Sequence, residues 1–180
     1  MRHVLLCMSQ TTKTNRIIYD TIGFCFCSTQ VPWYDFYMRE PINFVETRFH
    51  YLSPFSAHEV EIDRVTYKTA EHAYQSLRMI PSARQKIMDT KSPLDAWREA
   101  QKCKEQNELL SELECNKDEL MENIFRAKLA QHPDIKDILL ESEEKELLKV
   151  YDTDYYWGTG ADGSGENKMG KLWMKLREEI

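Results

Sequence analysis

Glu71, in Thr69-Ala70-Glu71-His72, is the carboxylate in this sequence best placed to act on a substrate. Thr69 is a helix N-cap residue, so Glu71 falls in the first helical turn, where the helix dipole favours an ionised carboxylate. Such a group can orient a water, accept its proton, or stabilise the positive charge that develops when a bond at a sugar C1 breaks. Acidic residues also stand in first turns for the dipole alone. Lys128, in Arg126-Ala127-Lys128-Leu129-Ala130, is the second candidate: partial burial among its apolar neighbours would lower its pKa and make its amine nucleophilic, against the plainer expectation of a solvated helical lysine. His72 points to a different helix face from Glu71, and no HExxH or comparable spacing surrounds it, so no metal site is expected there. A histidine bonded to a backbone group is the simpler reading of His72, and of His132 before its proline.

Five of the six glycines fall in Trp157-Gly158-Thr159-Gly160-Ala161-Asp162-Gly163-Ser164-Gly165-Glu166-Asn167-Lys168-Met169-Gly170, which runs into an amphipathic last helix. Glycines before a helix N-terminus suit close main-chain approach to an anion, with free N–H groups as donors, so a phosphate or sugar-phosphate is the expected ligand. Tyr155-Tyr156-Trp157 places flat aromatic area beside this loop, suited to stacking a base or sugar face, although a tryptophan is more often a core residue. Asp162 and Asn167 either serve the loop's own turns or bind sugar hydroxyls. The spacing Gly165-x-x-x-x-Gly170-Lys171 matches most of a nucleoside-triphosphate P-loop. It fails at the metal ligand, because Leu172 stands where the Ser/Thr hydroxyl belongs.

The elements that must hold these residues are mostly helical. Val60, Ile62, Val65 and Tyr67 alternate about Asp63-Arg64, a two-strand hairpin pattern. Thr69 opens a helix over roughly 70–80 that stops at Pro81, and Ser92-Pro93 caps and starts another. Asn116 and Glu119 have the spacing of a capping box for a helix running to Gln131, and His132-Pro133 breaks it before a short helix over about 134–140. Ile124, Ala127 and Leu129 form one expected core stripe, and Met169, Leu172, Trp173 and Leu176 another. Residues 1–40 show no helical period, with short strands expected at Ile17-Ile18-Tyr19 and Phe24-Cys25-Phe26, and are set apart as an N-terminal extension.

At 180 residues and 42% hydrophobic, the chain suits one well-buried domain. Its formal charge of −6 argues against broad polyanion binding, although Lys168, Lys171, Lys175 and Arg177 could form a local basic patch. The alternative for that patch is a solvated helix face with cations favoured at its C-terminal end. The cysteines, five and without a CxxC pair, suggest neither a disulfide framework nor a cysteine zinc site. The longest apolar run near the N-terminus, Val4 to Met8, is shorter than a signal-peptide core or a membrane span. A reduced, cytoplasmic protein without membrane attachment is the resulting expectation.

Four segments in order resemble the NADAR superfamily, the YbiA-like proteins. They are Leu52-Ser53-Pro54-Phe55; Tyr67-Lys68-Thr69-Ala70-Glu71-His72-Ala73-Tyr74-Gln75; Arg126-Ala127-Lys128-Leu129-Ala130-Gln131-His132-Pro133; and Tyr156-Trp157-Gly158-x-Gly160-x-x-Gly163-x-Gly165-x-Asn167-x-x-Gly170, with a closing Leu172-Trp173-Met174. The resemblance covers about residues 41–180. It implies a compact, mainly α single domain with a small β element (α+β) and an N-glycosidase that cleaves the bond between a ribose C1 and an amine nitrogen, with no cofactor. It further implies an ADP-ribose-containing or ribose-phosphate substrate: either ADP-ribose on guanine in DNA or RNA, the favoured reading, or phosphoribosylated aminopyrimidine intermediates of riboflavin synthesis. A non-catalytic ADP-ribose reader is the competing class. On this analogy Glu71 is the catalytic carboxylate, with Lys128 as a Schiff-base alternative. Phe55, Tyr67, His72, Tyr156, Trp157, Gly158, Gly160, Asp162, Gly163, Gly165 and Asn167 form the expected substrate-binding set. Three departures stand out: Pro54 where the family usually has asparagine, Arg78 where some members have lysine, and a 103–117 segment without the basic, Trp-containing stretch of bacterial members.

Overall fold

Helix α1 (Ala70–Leu77) is the centre of the molecule, and every residue from Ala70 to Ser76 is buried. In the computed structural model the described residues are 40–180; the N-terminal extension, its expected strands, and Cys7, Cys25 and Cys27 lie outside them. The chain enters through β1 (Ile42–Asn43) and a short 3-10 helix (Arg48–Leu52), then forms the hairpin of β2 (Val60–Ile62) and β3 (Val65–Tyr67). Ile62 pairs with Val65 across a tight turn whose two central residues, Asp63 and Arg64, both have positive φ, as a type I′ hairpin requires. Helices α2 (Pro81–Met88), α3 (Pro93–Glu105), α4 (Lys117–Gln131) and α5 (Pro133–Glu141) follow, then β4 (Leu147–Leu148) and the last helix, α6 (Lys168–Glu178). Strand β4 pairs in parallel with β1, Ile42 opposite Leu147. The architecture is α+β, six helices and two minimal sheets among the described residues.

The caps behave as their residue types dictate. Thr69 Oγ1 accepts the backbone N–H of His72, Ser92 Oγ that of Asp95, and Asn116 Oδ1 those of Asp118 and Glu119. One boundary differs from the sequence expectation. The helix opened by Thr69 ends at Leu77, and Pro81 starts a further helix instead of only stopping one, as proline at the first helical position can. The break between them is stitched across: Ile80 N donates to Glu108 O and Leu110 N to Arg78 O.

Helix α1 packs against α2, α3 and α4. A main core of Phe44, Leu52, Val60, Tyr74, Ile124, Phe125, Ile135, Leu139, Trp173 and their neighbours lies on one side of it, with Phe125 and Trp173 stacked at 4.4 Å. A smaller core of Met79, Ala83, Ile87, Ala96, Ala100 and Cys103 lies under α2 and α3. The stripe Met169, Leu172, Trp173, Leu176 on α6 is buried as expected. On α4 the buried face is Met121, Ile124, Phe125 and Lys128, so the expected stripe is corrected at two places: Ala127 and Leu129 are only half-buried, and a lysine takes the fourth core position.

Candidate active site

A cleft of about 480 Å³ opens beside α1. Its floor is made of lining residues that are buried, Ser53, Glu71, Tyr74, Gln75, Met121 and Met169, and its rim of exposed ones, Leu94, Trp97 and Tyr151. Between them stand Phe55, Tyr156, Trp157 and four cations, Arg78, Lys104, Lys117 and Lys149. Of the expected site residues, the structure brings Phe55, Glu71, Tyr156 and Trp157 together.

Glu71 is anchored from two sides. Its N–H donates to Pro54 O at 3.0 Å, and its Oε1 accepts from Gln75 Nε2 at 2.8 Å. Pro54, which offers no side-chain polar group, thus serves the site through its carbonyl. The side chain is only 5% exposed. Burial raises its pKa above the ordinary carboxylate range, opposed by the Gln75 hydrogen bond and by the charges of Lys149, Arg78 and Lys104. Against the expectation of a simply ionised first-turn carboxylate, desolvation favours the protonated form, so the group is better suited to hold and release a proton than a solvated carboxylate.

The walls are aromatic and positive. Tyr74 and Trp157 meet edge to face at 5.8 Å, as do Tyr156 and Trp157 at 5.1 Å. Arg78 lies over the Tyr74 ring and Lys117 over the Tyr156 ring, 3.6 Å from its centroid. Lys149 is held by Asp154 at 2.6 Å, whereas Arg78, Lys104 and Lys117 have no carboxylate partner among the described residues. Burial, with the nearby Arg78 charge, pushes the Lys104 ammonium below its usual pKa. Three cations without carboxylate partners thus face the cleft, a local concentration of positive charge on an acidic chain.

The glycine loop does different work from that expected. The N–H groups of Asn167, Lys168 and Met169, which would have faced an anion, donate to the carbonyls of Gly158, Tyr156 and Trp157. The loop therefore caps its own helix. All its glycines but Gly163, which stands in open space, are packed against the chain: a Cβ on Gly158 would sit 2.7 Å from Lys149 O, one on Gly165 2.4 Å from Gly158 O, and one on Gly170 1.9 Å from Leu147 O. Gly158, Gly160, Gly163 and Gly165 do not line the cleft. Asn167, with φ +48°, fastens the loop to β4 by accepting from Lys149 N and donating to Leu147 O, and Asp162 accepts from Ser164 on the exposed tip. The phosphate cradle is replaced by a self-bonded loop that presents Tyr156 and Trp157. Asp154 completes it, Oδ1 accepting from the N–H groups of Tyr156 and Trp157, a turn role that its place three residues before the tryptophan could have signalled.

Three other expected residues lie off the cleft. Tyr67 is core. The buried His72 bonds Thr69 Oγ1 through Nδ1 and Thr90 Oγ1 through Nε2; since Thr90 already donates to Ile87 O, Nε2 carries the proton and the ring is neutral, in keeping with a pKa lowered by burial. Its ring meets two side-chain hydroxyls, and a backbone hydrogen bond with Thr90, of the kind expected, works against the lowering of its pKa. Lys128 Nζ, fully buried, donates to Tyr51 O, Ser53 O and Ser56 Oγ at 2.5, 2.8 and 2.6 Å. All three N–H directions of an ammonium are taken, and Ser53, through its backbone carbonyl, is the one partner that also lines the cleft. Burial pushes its pKa down to about 7. Lys128 thus ties α4 to the Ser53-Pro54-Phe55 loop, which in turn holds Glu71. Of the expected basic patch on α6, three members are tied within the fold, Lys168 to Asp118, Lys175 to Glu122, and Arg177 to Ser142 Oγ and Lys145 O, while Lys171 is exposed. Among the described residues no cluster of metal-ligating side chains occurs, Cys103 and Cys115 are free, and no helix is long and apolar enough to cross a membrane.

The cleft thus sets a buried carboxyl under aromatic walls and cations on the central helix of an α+β domain. The chain belongs to the NADAR domain family, whose model matches residues 36–180. It is 32% identical over 142 residues to the N-glycosidase YbiA of Escherichia coli strain K12, covering 77% of this chain and 88% of that protein. It is 30% identical over 131 residues to an N-glycosidase of Nostoc punctiforme, covering 71% and 83%. It is 32% identical over 146 residues to a chloroplastic riboflavin biosynthesis protein of Zea mays, covering 73% of this chain and 23% of that one. The solved structure of the E. coli protein YbiA superimposes with a TM-score of 0.65 at 30% identity, over 74% of this chain and 79% of the other.

Proposed function

We propose that this protein is an N-glycosidase, a hydrolase of N-glycosyl bonds, acting on a phosphate-bearing N-riboside, and within that class on ADP-ribose joined to guanine in nucleic acid. The observation that carries the reading is the buried Glu71 carboxyl beneath aromatic walls and three cations without carboxylate partners. The names of the bacterial relatives support the same bond type.

In this mechanism Glu71 donates its proton to the leaving nitrogen. The C1–N electron pair stays with that nitrogen, positive charge grows at C1, water adds there, and the water's proton returns to the carboxylate. Glu71 Oε1 already accepts from Gln75, so the acid proton belongs on Oε2, which makes no hydrogen bond within the described residues. Arg78, Lys104 and Lys117 hold the phosphate as charge-assisted donors, and Tyr74, Tyr156 and Trp157 stack on the rings. The exposed Trp97 and Tyr151 at the rim supply surface for a second ring, which favours a dinucleotide-like ligand. A Schiff base on Lys128 has no support in its surroundings, since Nζ is enclosed by its three acceptors. The second reading, hydrolysis of ribosylaminopyrimidine phosphates, is favoured by the riboflavin names of two relatives. A single phosphate would also satisfy the three cations.

The test offers the purified protein an ADP-ribosylguanine oligonucleotide and, separately, a ribosylaminopyrimidine phosphate, and follows free sugar by mass spectrometry. Release from the first supports the primary reading, and release from the second alone the other. No release from either, with ADP-ribose still bound, supports a reader. Glu71→Gln should lower kcat by about 10²–10⁴-fold while ligand binding persists. In the wild type kcat should fall as pH rises through the raised Glu71 pKa, because the acid form is lost. Near-normal turnover by Glu71→Gln sinks the mechanism.

A further inference from the structure

The amide of Gln75 is a polar side chain with half its hydrogen bonding unused. It is 4% exposed and lines the cleft; its Nε2 donates to Glu71, while its Oε1 is buried with no partner. Buried acceptors without partners are rare, and leaving one so is costly, so an orphan beside a reactive carboxyl points to a ligand that completes it. With the Glu71 proton on Oε2, turning the amide round would set its oxygen against Glu71 Oε1, also an acceptor, and lose the bond between them.

We infer that Gln75 Oε1 accepts a hydrogen bond from the N–H of the scissile nitrogen, making Gln75 a specificity-determining residue for N-ribosides whose leaving nitrogen still carries a hydrogen. The inference rests on the N-glycosidase reading and adds to it a residue and a substrate requirement. The chemistry matches on one atom. An amine nitrogen joined to C1 has a lone pair, which takes the Glu71 proton, and an N–H, which needs an acceptor. Glu71 and Gln75 are one helical turn apart and bonded to each other, so the carboxyl that supplies the proton and the amide that supplies the acceptor are one linked pair on the cleft wall. As the nitrogen gains its proton it becomes positive and its N–H a stronger donor, so the bond to Oε1 strengthens in the transition state and contributes to kcat. A nitrogen bearing only carbon offers no such hydrogen and leaves Oε1 orphaned.

The experiment compares a phosphorylated N-riboside carrying N–H at the scissile nitrogen with its N-methyl counterpart, using the wild type, Gln75→Leu and Gln75→Met. The wild type should prefer the N–H substrate by about 10²-fold in kcat/KM, the scale of one transition-state hydrogen bond. In both variants the preference should collapse to a few-fold, through kcat with KM little changed, and affinity for the ribose phosphate product, which lacks the nitrogen, should be kept. Equal cleavage of the two substrates by the wild type overturns the inference while leaving the N-glycosidase reading intact. So does a variant that retains the preference, or one that loses product affinity, since Gln75 would then read the sugar. Cleavage of neither substrate by the wild type overturns both readings. If neither variant folds, the wild-type comparison alone decides.

Discussion

Replacing Lys128 by methionine should change stability in a way that depends on pH. The side chain is fully buried, and its pKa falls from an ordinary 10.5 to about 7 on folding. A cation whose folded pKa is depressed makes the unfolded state bind more protons between the two values, so stability rises with pH across that window. The contribution is complete above the unfolded value and lost as pH falls toward the folded one. At about 1.4 kcal/mol per pH unit the interval is worth about 5 kcal/mol. Against this, Lys128→Met removes three hydrogen bonds from the ammonium, or two from the neutral amine, at about 1 kcal/mol each. Tyr51 O keeps the Ser56 hydroxyl and Ser53 O keeps the Ser56 N–H, so neither carbonyl is orphaned. Near pH 7 the variant should therefore be the more stable by about 2 kcal/mol, and near pH 10, where the neutral amine keeps two hydrogen bonds and a little of the penalty remains, the less stable by about 1 kcal/mol. Chemical denaturation of both proteins at several pH values measures this, and the difference cancels titrations they share. A difference that stays flat with pH would refute the reasoning. It would mean that the three oxygens, which match an ammonium's three N–H groups, keep the lysine charged throughout. Turnover of Lys128→Met within about ten-fold of wild type fits a tie between α4 and the Ser53-Pro54-Phe55 loop, whereas a loss of several powers of ten with trapping by borohydride would restore the Schiff-base route.

Removing one of the cleft's unpartnered cations should weaken binding more than chemistry. Arg78→Met is expected to raise KM about ten-fold for a phosphorylated substrate with kcat nearly unchanged, and added salt should raise KM more in the wild type than in the variant. The glycines separate packing from ligand contact. Gly170→Ala drives a Cβ to 1.9 Å from Leu147 O and should cost about 4 kcal/mol or more in a thermal melt. Gly163→Ala, at φ +76° in open space, should cost about 1–2 kcal/mol and leave kcat/KM within two-fold. A large activity loss in the soluble, folded Gly163→Ala protein would reinstate the loop as a phosphate cradle.

The elements were legible where local chemistry decides them. Thr69, Ser92 and Asn116 cap the helices that they were expected to cap, and the alternation of Val60, Ile62, Val65 and Tyr67 gives the hairpin. Helix α2 was missed because Pro81 reads equally as a stop and as a first helical residue. Of the cleft, Glu71, Phe55, Tyr156 and Trp157 were visible as residue types in recognisable segments. Gln75, Arg78, Lys104, Lys117 and Lys149 become a site only because α1, α3, α4 and the end of β4 converge there, and no spacing along the chain encodes that. Burial was the least legible quantity. The segment Ala70 to Ser76 contains Glu, His, Gln and Ser, and a polar helix of this kind is expected on a surface; yet it is enclosed on all sides. The same blindness hid Lys128, whose neighbours suggested a reactive amine and whose three acceptors make it a structural tie.

The division of the cleft into a buried floor and an exposed rim bears on how substrate range can change. Floor residues are expensive to alter: Tyr74 and Met121 belong to the main core, and Glu71 and Gln75 hold each other. Leu94, Trp97 and Tyr151 are between 43% and 54% exposed and owe the fold little. Substitutions at such surface positions usually shift stability by about 0.5 kcal/mol or less. The bond that is broken and the molecule that carries it are thus under separate control. On the proposed function, a chain of this design would exchange one nucleotide-like substrate for another through three rim positions without disturbing the Glu71 carboxyl, so new specificities would lie within a few tolerated mutations of the existing one.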